Sequence, residues 1–527
     1  MTTRQRSLLG GISILGIAGL ICKVVGVLYR IPLANLIGSE GIGVYQQVFP
    51  SYNLLLTISS AGIPVAISRM VASRLALGQI RSSNRIFRIA LLILTALGVI
   101  STSLMLIFSP QLAQATGTPE SALGFRLIAP SVLLVCVISA FRGYMQGQRR
   151  MVPTAVSQLI EQVGKVGVAL PLAYSFMLRG GYAMGAAGAL LGTSIAEAAA
   201  LLYMAADYFF LRPQLVRAAS ADLTPPGDWR FMARELVFSA VPITIGACIV
   251  PLAGTVDSFM LVRLMQAYLP GEEALSHYGI YSGLVIPLIN VPTALAMAMA
   301  SNLVPSISSK RASGDREGIR RDATAGLRLS MVIGLPSSVG MSLLAEPILF
   351  LLFGGGQYTP GQLRLGGQLL SVSALTIAVF TLVQASSGIL QGLYKQRIPM
   401  YTLMAGVAAK ILINYAAVRL PGVNIFGAPW ASLICYILSA GLNIRYVARY
   451  AGMRIDLQEL LLRPTLATLA MAIPVLGAVL LFGTRLQRSW PLMGVTVLLA
   501  VLVFVAAALK TGAVKQSDLP SRFRKGK

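Results

Sequence analysis

The sequence predicts an all-α polytopic membrane protein with about fourteen transmembrane helices, and three observations carry that expectation. Of its 527 residues, 56% are hydrophobic and only 12% charged. Soluble globular chains carry about 25% charged residues. Too few charges are therefore present to clothe a water-facing surface, and most of the chain must be solvated by lipid. Apolar runs long enough for a bilayer, about 20 residues each, recur from end to end. The net charge of +25 sits in short basic clusters between those runs, which is the mark of membrane topology and not of nucleic-acid binding.

In order, the runs are 8–29, 43–66, 87–108, 122–141, 152–177, 183–206, 237–260, 279–304, 329–353, 366–388, 398–418, 426–444, 464–484 and 490–509. Their length favours helices, since barrel strands would alternate over about ten residues. The first run follows Arg4 and Arg6 and continues past Lys23 to Tyr29 with no small-residue cleavage site. It reads as a retained span and not a signal peptide. Pro64, Pro171, Pro242, Pro251, Pro287 and Pro292 lie inside runs, where neighbouring helices satisfy the freed backbone groups. Placing the N-terminus and every second connection in the cytoplasm puts 32 Lys and Arg on that side and 7 on the other. Lys23, Arg126, Lys165 and Lys410 remain within spans or at their edges. The bias orients the chain in a plasma membrane with both termini cytoplasmic.

The chain also repeats itself. SAFRGYMQGQRRMVP (139–153) is echoed by SSGILQGLYKQRIP (386–399), with Gln146 and Gln391 lying 245 positions apart. Lys165 and Lys410 keep the same spacing, and Gly43, Val44 and Tyr45 open one span as Gly279, Ile280 and Tyr281 open another. Two six-span units follow, 1–210 and 236–450, joined by a cytoplasmic linker, 211–235, that contains Pro225, Pro226 and Gly227. Residues 451–527 hold an extra helix pair and a basic tail. An even number of spans makes the repeat parallel, an arrangement that in transporters sets the substrate site at the repeat interface.

Enzyme chemistry has little raw material here. Cys22, Cys136, Cys248 and Cys435 sit singly in apolar runs, and the only histidine, His277, lies in a polar loop, so neither a metal site nor a cofactor is expected. The acids in and just before the linker, Asp207, Asp222, Asp228 and Glu235, show no paired geometry, and no phosphate-cradling glycine loop is present. The connections on the outer side are short, which disfavours a glycan-polymerising enzyme.

The segment GVLYRIPLANLIGSEGIGVYQQVFPSYNLLLTISSAGIPVAISR (26–69), with FRGYMQGQRRMVPTAVSQLIEQVGKV (141–166), resembles the stage V sporulation protein B branch of the multidrug/oligosaccharidyl-lipid/polysaccharide exporter superfamily. That branch is related to the lipid II flippases. The likeness runs from about residue 8 to 450. It implies two six-helix lobes in a V, alternating access, and export of undecaprenyl-diphosphate-linked sugars, with membrane lipid and a coupling ion as further partners. It also implies that the last two spans form a groove for the lipid tail, since the drug-exporting relatives stop at twelve.

Ionisable residues at bilayer depth are expensive, at least about 2.5 kcal/mol each on insertion scales, and so usually face a cavity or a partner. Lys23 falls where the resemblance places a cavity arginine, with Arg30 after it; the alternative is a lysine reaching to the interface. Lys410 has no acid in reach on its own helix. Together with Glu161 and Lys165 these residues are the expected substrate contacts, although Glu161 and Lys165, four apart, could instead neutralise each other. Asp257, Arg263 and Glu197 are expected to gate or couple, Asp257 and Arg263 through a pair made across the lobes. The eighth span lacks the charge found there in lipid II flippases, which favours a lipid-linked sugar in general over lipid II in particular. The alternative function is a cation-coupled multidrug antiporter, and the absence of an aspartate in the first span weighs against it.

Overall fold

The computed structural model describes residues 3–225 and 227–514, the side chains of 3–17, 20, 23 and 27 excepted. Pro226 and the basic tail beyond 514 lie outside the described residues, as does the side chain of Lys23. All regular structure among the described residues is helical. The helices are α1 (Thr3–Ser60), α2 (Ile63–Ala76), α3 (Ile80–Ile107), α4 (Ser109–Ala115), α5 (Ala122–Gly147), α6 (Val152–Gly164), α7 (Leu170–Ala221), α8 (Trp229–Met265) and α9 (Gly271–Gly279). They continue with α10 (Ile286–Ala312), α11 (Arg316–Leu343), α12 (Ala345–Phe353), α13 (Pro360–Gly392), α14 (Arg397–Ala417), α15 (Gly427–Ala451), α16 (Arg463–Leu486) and α17 (Trp490–Lys510).

Two of these are hairpins and not rods. The 58 residues of α1 would make a straight helix about 87 Å long, far beyond a bilayer. At Gly38 (φ 70°, ψ −174°) the backbone enters a region that only glycine adopts without strain. Arg30 then lies 6.0 Å from the ring centre of Tyr45 and 5.5 Å from that of Phe49, whereas 15 residues of unbroken helix would set Arg30 and Tyr45 about 22 Å apart. The chain therefore doubles back. Gly180 and Gly181 (φ 74°) break α7 in the same way, bringing Gly188 against the Leu172 carbonyl and Gly192 against the Ala169 backbone. Eleven stretches are long and apolar enough to cross a membrane, or twelve with the bent pair α11–α12. Two of them, Val24–Ala76 and Val152–Ala221, contain the glycine breaks, and counting each of these as two, with the bent pair, gives the fourteen spans read from the sequence.

Contacts divide the chain into two compact units, 1–263 with 271–279, and 264–270 with 280–527. In the first, α8 is fastened along its length: Arg69 donates to Ser239 Oγ at 2.9 Å, Thr255 Oγ1 donates to the Pro50 carbonyl at 3.1 Å, and Arg263 donates to the Gln114 carbonyl at 2.7 Å. The linker docks on the start of α3. Asp222 accepts the Arg81 N–H at 2.9 Å and Arg85 donates to the Gly227 carbonyl at 2.8 Å. Hydrogen bonds from Thr224 and from the Arg81 backbone lower the Asp222 carboxyl to about 2; a carboxylate at a helix N-terminus suits the macrodipole as well.

In the second unit α13 is central, with 67% of its most apolar window buried against 22% for α17, which leaves α17 on the outside of the unit. The pair α16–α17 is held at both ends. Arg328, 4% exposed, meets Glu459 at 3.3 Å, and Gln487 donates to Glu346 at 3.3 Å. Between these, Met471, Val475, Met493 and Ala500 pack against Leu343 and Leu344.

The sequence repeat is a repeat of backbone detail. After α5, Arg149 (φ 64°) takes a left-handed conformation, and after α13 Tyr394 (φ 55°) does so 245 residues later. Arg150 N–H donates to the Met145 carbonyl at 2.9 Å, and Lys395 N–H donates to that of Leu390 at 2.8 Å. Both helices thus end in the same 6→1 closure, whose left-handed residue is usually glycine. Further upstream the spacing is 236: α3 ends at Phe108 (φ −91°, ψ 9°) and α11 at Leu344 (φ −93°, ψ 8°), the second with a 68° bend into α12.

Candidate functional site

The first unit brings Glu161, Lys165 and Glu197 together. Close helix packing does this. A Cβ at Gly164 would collide with Ala196, and one at Gly192 with Ala169, so α6 and the π-turn Lys165–Ala169 lie directly on α7. Lys165 therefore stands beside Glu197, and both Lys165 and Glu161 act on it electrostatically. Glu197 is 3% exposed. Tyr52 O–H donates to its Oε1 at 2.7 Å, while its Oε2 is buried with no hydrogen-bond partner.

Glu161 does not pair with Lys165. Its partner is Arg142 of α5, at 2.8 Å, whose Nε also donates to Ser157 Oγ at 2.9 Å. The two side chains are 13% and 14% exposed. Among the described residues Lys165 makes no ion pair. The first span also reaches this cluster, because a Cβ at Gly26 would lie 3.6 Å from Gln162 Oε1 and Cys22 feels the charges of Glu161, Arg142 and Lys165. Arg30 stands over the Tyr45 and Phe49 rings, a geometry that holds a cation without an acid.

The other expected residues lie elsewhere. Asp257 is half-buried on α8, and Arg263 near its end is engaged with the Gln114 carbonyl. Lys410 is half-buried on α14. At the positions 245 residues after Arg142 and Ser157, the second unit has Ser387 and Thr402, bridged by Asn443. Thr402 Oγ1 donates to Asn443 Oδ1 at 2.6 Å, and Asn443 Nδ2 donates to Ser387 at 3.3 Å. One junction is ionic in the first unit and neutral in the second. No cluster of three or more potential metal-ligating side chains occurs among the described residues.

Arg142 and Tyr52 join the site without a signal in the sequence. Arg142 has the look of a loop residue because the hydrophobic run ends at Phe141, yet α5 continues to Gly147. Tyr52 is 145 residues from Glu197, a separation that leaves no periodic trace.

The family model described as polysaccharide biosynthesis protein matches residues 8–310, more than half of the chain. The chain belongs to this family. A second model, MatE, matches residues 242–416 of this polysaccharide biosynthesis protein family member. Lipid II flippase MurJ of Bacillus subtilis (strain 168) is 25% identical over 545 aligned positions, covering 99% of each chain. Stage V sporulation protein B of the same organism is 26% identical over 457 positions, covering 86% of each. Among solved structures, a lipid II flippase MurJ in an inward closed conformation superposes with a TM-score of 0.67 at 13% identity, covering 94% of this chain and 97% of that one. An inward-facing multidrug resistance MATE family transporter of the MOP superfamily gives 0.71 at 15%, covering 84% and 98%. The family member is thus a multi-pass membrane protein with the two-lobed MOP fold.

Proposed function

We propose that this chain is a flippase that carries an undecaprenyl-diphosphate-linked sugar, lipid II or a related polysaccharide precursor, across the cytoplasmic membrane by alternating access. The observation that carries the reading is similarity to a lipid II flippase along 99% of both chains. The physical chemistry agrees. A diphosphate crossing a bilayer needs fixed cations to replace its water, and Lys165 and Arg30 offer charges held in no ion pair among the described residues. Lys23 and Lys410 would add to that field, with Glu161 setting the position of its neighbours. Asp257, Arg263 and Glu197 would gate or couple the cycle. The helix pair α16–α17 would receive the polyprenyl tail; the MurJ structure covers 94% of this chain and the MATE structure 84%, a difference of about the size of that pair. The basic clusters favour both termini in the cytoplasm.

The MatE match and the TM-score of 0.71 favour a second reading, a cation-coupled multidrug antiporter. Depletion in the native host separates the two. The flippase reading expects lipid-linked glycan intermediates to accumulate on depletion, identified by mass. Unchanged intermediates together with retention of a cationic dye would establish the antiporter instead.

A further inference from the structure

We propose that Glu197 and Tyr52 form a proton-binding site inside the first unit, which takes up a proton when an anion engages Lys165. The inference rests on the flippase reading only for the identity of that anion.

Glu197 is 3% exposed, and its Oε2 has no hydrogen-bond donor. A buried carboxylate oxygen without a donor is costly while charged and ceases to be so once protonated. Among the described residues, the groups that act on Glu197 come from neighbouring elements. From α1 come Tyr52, which donates to Oε1, and Tyr45, which lies within its field and beneath Arg30. From α5 comes Ser131, whose hydroxyl is spent on Ser194 Oγ at 2.7 Å, and from α6 and the π-turn come Glu161 and Lys165. Glu161 is already matched by Arg142. Among the described residues Lys165 is thus the cation whose charge compensates Glu197, and it does so from beyond ion-pair distance.

That arrangement couples two events. While Lys165 is free, its charge favours the carboxylate form of Glu197 against the burial that disfavours it. When a phosphate oxygen binds the Lys165 ammonium, the lysine's charge is divided between two anions and Glu197 loses its compensation. Its Oε2 then takes up a solvated proton from the aqueous phase, and Tyr52 continues to donate to Oε1. Charge balances for one phosphate charge at Lys165, which is matched by the one proton that Glu197 takes up. Departure of the anion returns Lys165 to Glu197, and the proton leaves to water. A proton suits this site better than a monovalent metal ion. One oxygen of Glu197 is occupied by a donor, Glu161 is held by Arg142, and few oxygen ligands remain.

The proton can be observed without transport. Infrared titration of the full chain in lipid nanodiscs should show the carbonyl stretch of a protonated carboxylic acid, lost in Glu197→Gln and shifted in frequency in Tyr52→Phe, which removes the hydroxyl from Oε1. Lys165→Gln should strengthen the band. Spectra of wild type and Glu197→Gln that coincide at every pH would overturn the proposal, and the Tyr52→Phe shift guards against a Glu197 variant that fails to fold. Adding a short-chain polyprenyl diphosphate is the second arm. Growth of the Glu197 band supports the coupling, and a band that ignores the diphosphate while titrating normally leaves the proton site standing and counts against the diphosphate as the cargo.

Discussion

At the residue scale, the cluster depends on Arg142 more than on any residue the sequence singled out. It satisfies Glu161, with both side chains largely removed from solvent, and it bonds Ser157 on the same helix as Glu161. Removing one partner of a buried pair leaves the other charged and unpaired, at a cost of about 3 kcal/mol. Arg142→Gln should therefore lower the thermal midpoint of the detergent-solubilised protein sharply. The double variant Arg142→Met with Glu161→Met should recover most of the loss, since an apolar pair of similar volume leaves no orphan charge. If the double variant is as unstable as the single one, Arg142 acts by shape and not by charge.

At the element scale, much was legible. Fourteen apolar runs, the break between the first two, and the twice-written hinge all follow from composition and spacing. Those are signals that a bilayer imposes on sequence directly. What the sequence hid was local geometry inside continuous apolar helix. The bend at Leu344 carries no glycine or proline at the break, and Gly164 and Gly167 at the π-turn that opens at Lys165 look in sequence like any other small residue of an apolar span. The extension of α5 beyond Phe141 was hidden as well, because Arg142 mimics the start of a loop while its charge is buried against another helix. The pairing of Tyr52 with Glu197 belongs to tertiary packing, and only the fold reveals it.

The hinge itself yields a prediction at this scale. Arg149 and Tyr394 hold a left-handed backbone that costs a residue with a Cβ about 1 kcal/mol. Glycine should relieve that cost, less its own greater freedom in the unfolded chain. Arg149→Gly and Tyr394→Gly should each raise the thermal midpoint slightly or leave it unchanged, with rescue of a depleted strain intact. A clear fall in rescue would mean that the side chains serve the cycle. The neighbouring contacts give that outcome content: Arg150 pairs with Asp207 at 3.3 Å in one hinge, and Lys395 lies 4.9 Å from the Tyr450 ring centre in the other. Two different contacts tie the same turn to the last helix of its repeat.

At the scale of the whole molecule, the flippase reading proposes that twelve spans do the carrying and that the last two, α16 and α17, decide the cargo. The pair α16–α17 is mostly exposed, and its attachment rests on a narrow apolar seam and on Glu459 reaching the buried Arg328. A chain ending after Met453 would lose Glu459 and leave Arg328 without its acid, which alone could unfold the second unit. The informative variant is therefore the truncation combined with Arg328→Gln, which removes the orphan charge along with its partner. If α16 and α17 serve a polyprenyl tail, this shortened chain should insert and remain monodisperse yet fail to relieve the accumulation of lipid-linked intermediates. A full-length Arg328→Gln control should relieve it at least in part, because the seam around Met471 and Met493 still docks the pair. Full rescue by the shortened chain would detach the helix pair from substrate handling and move the weight of the functional argument onto the helices before it.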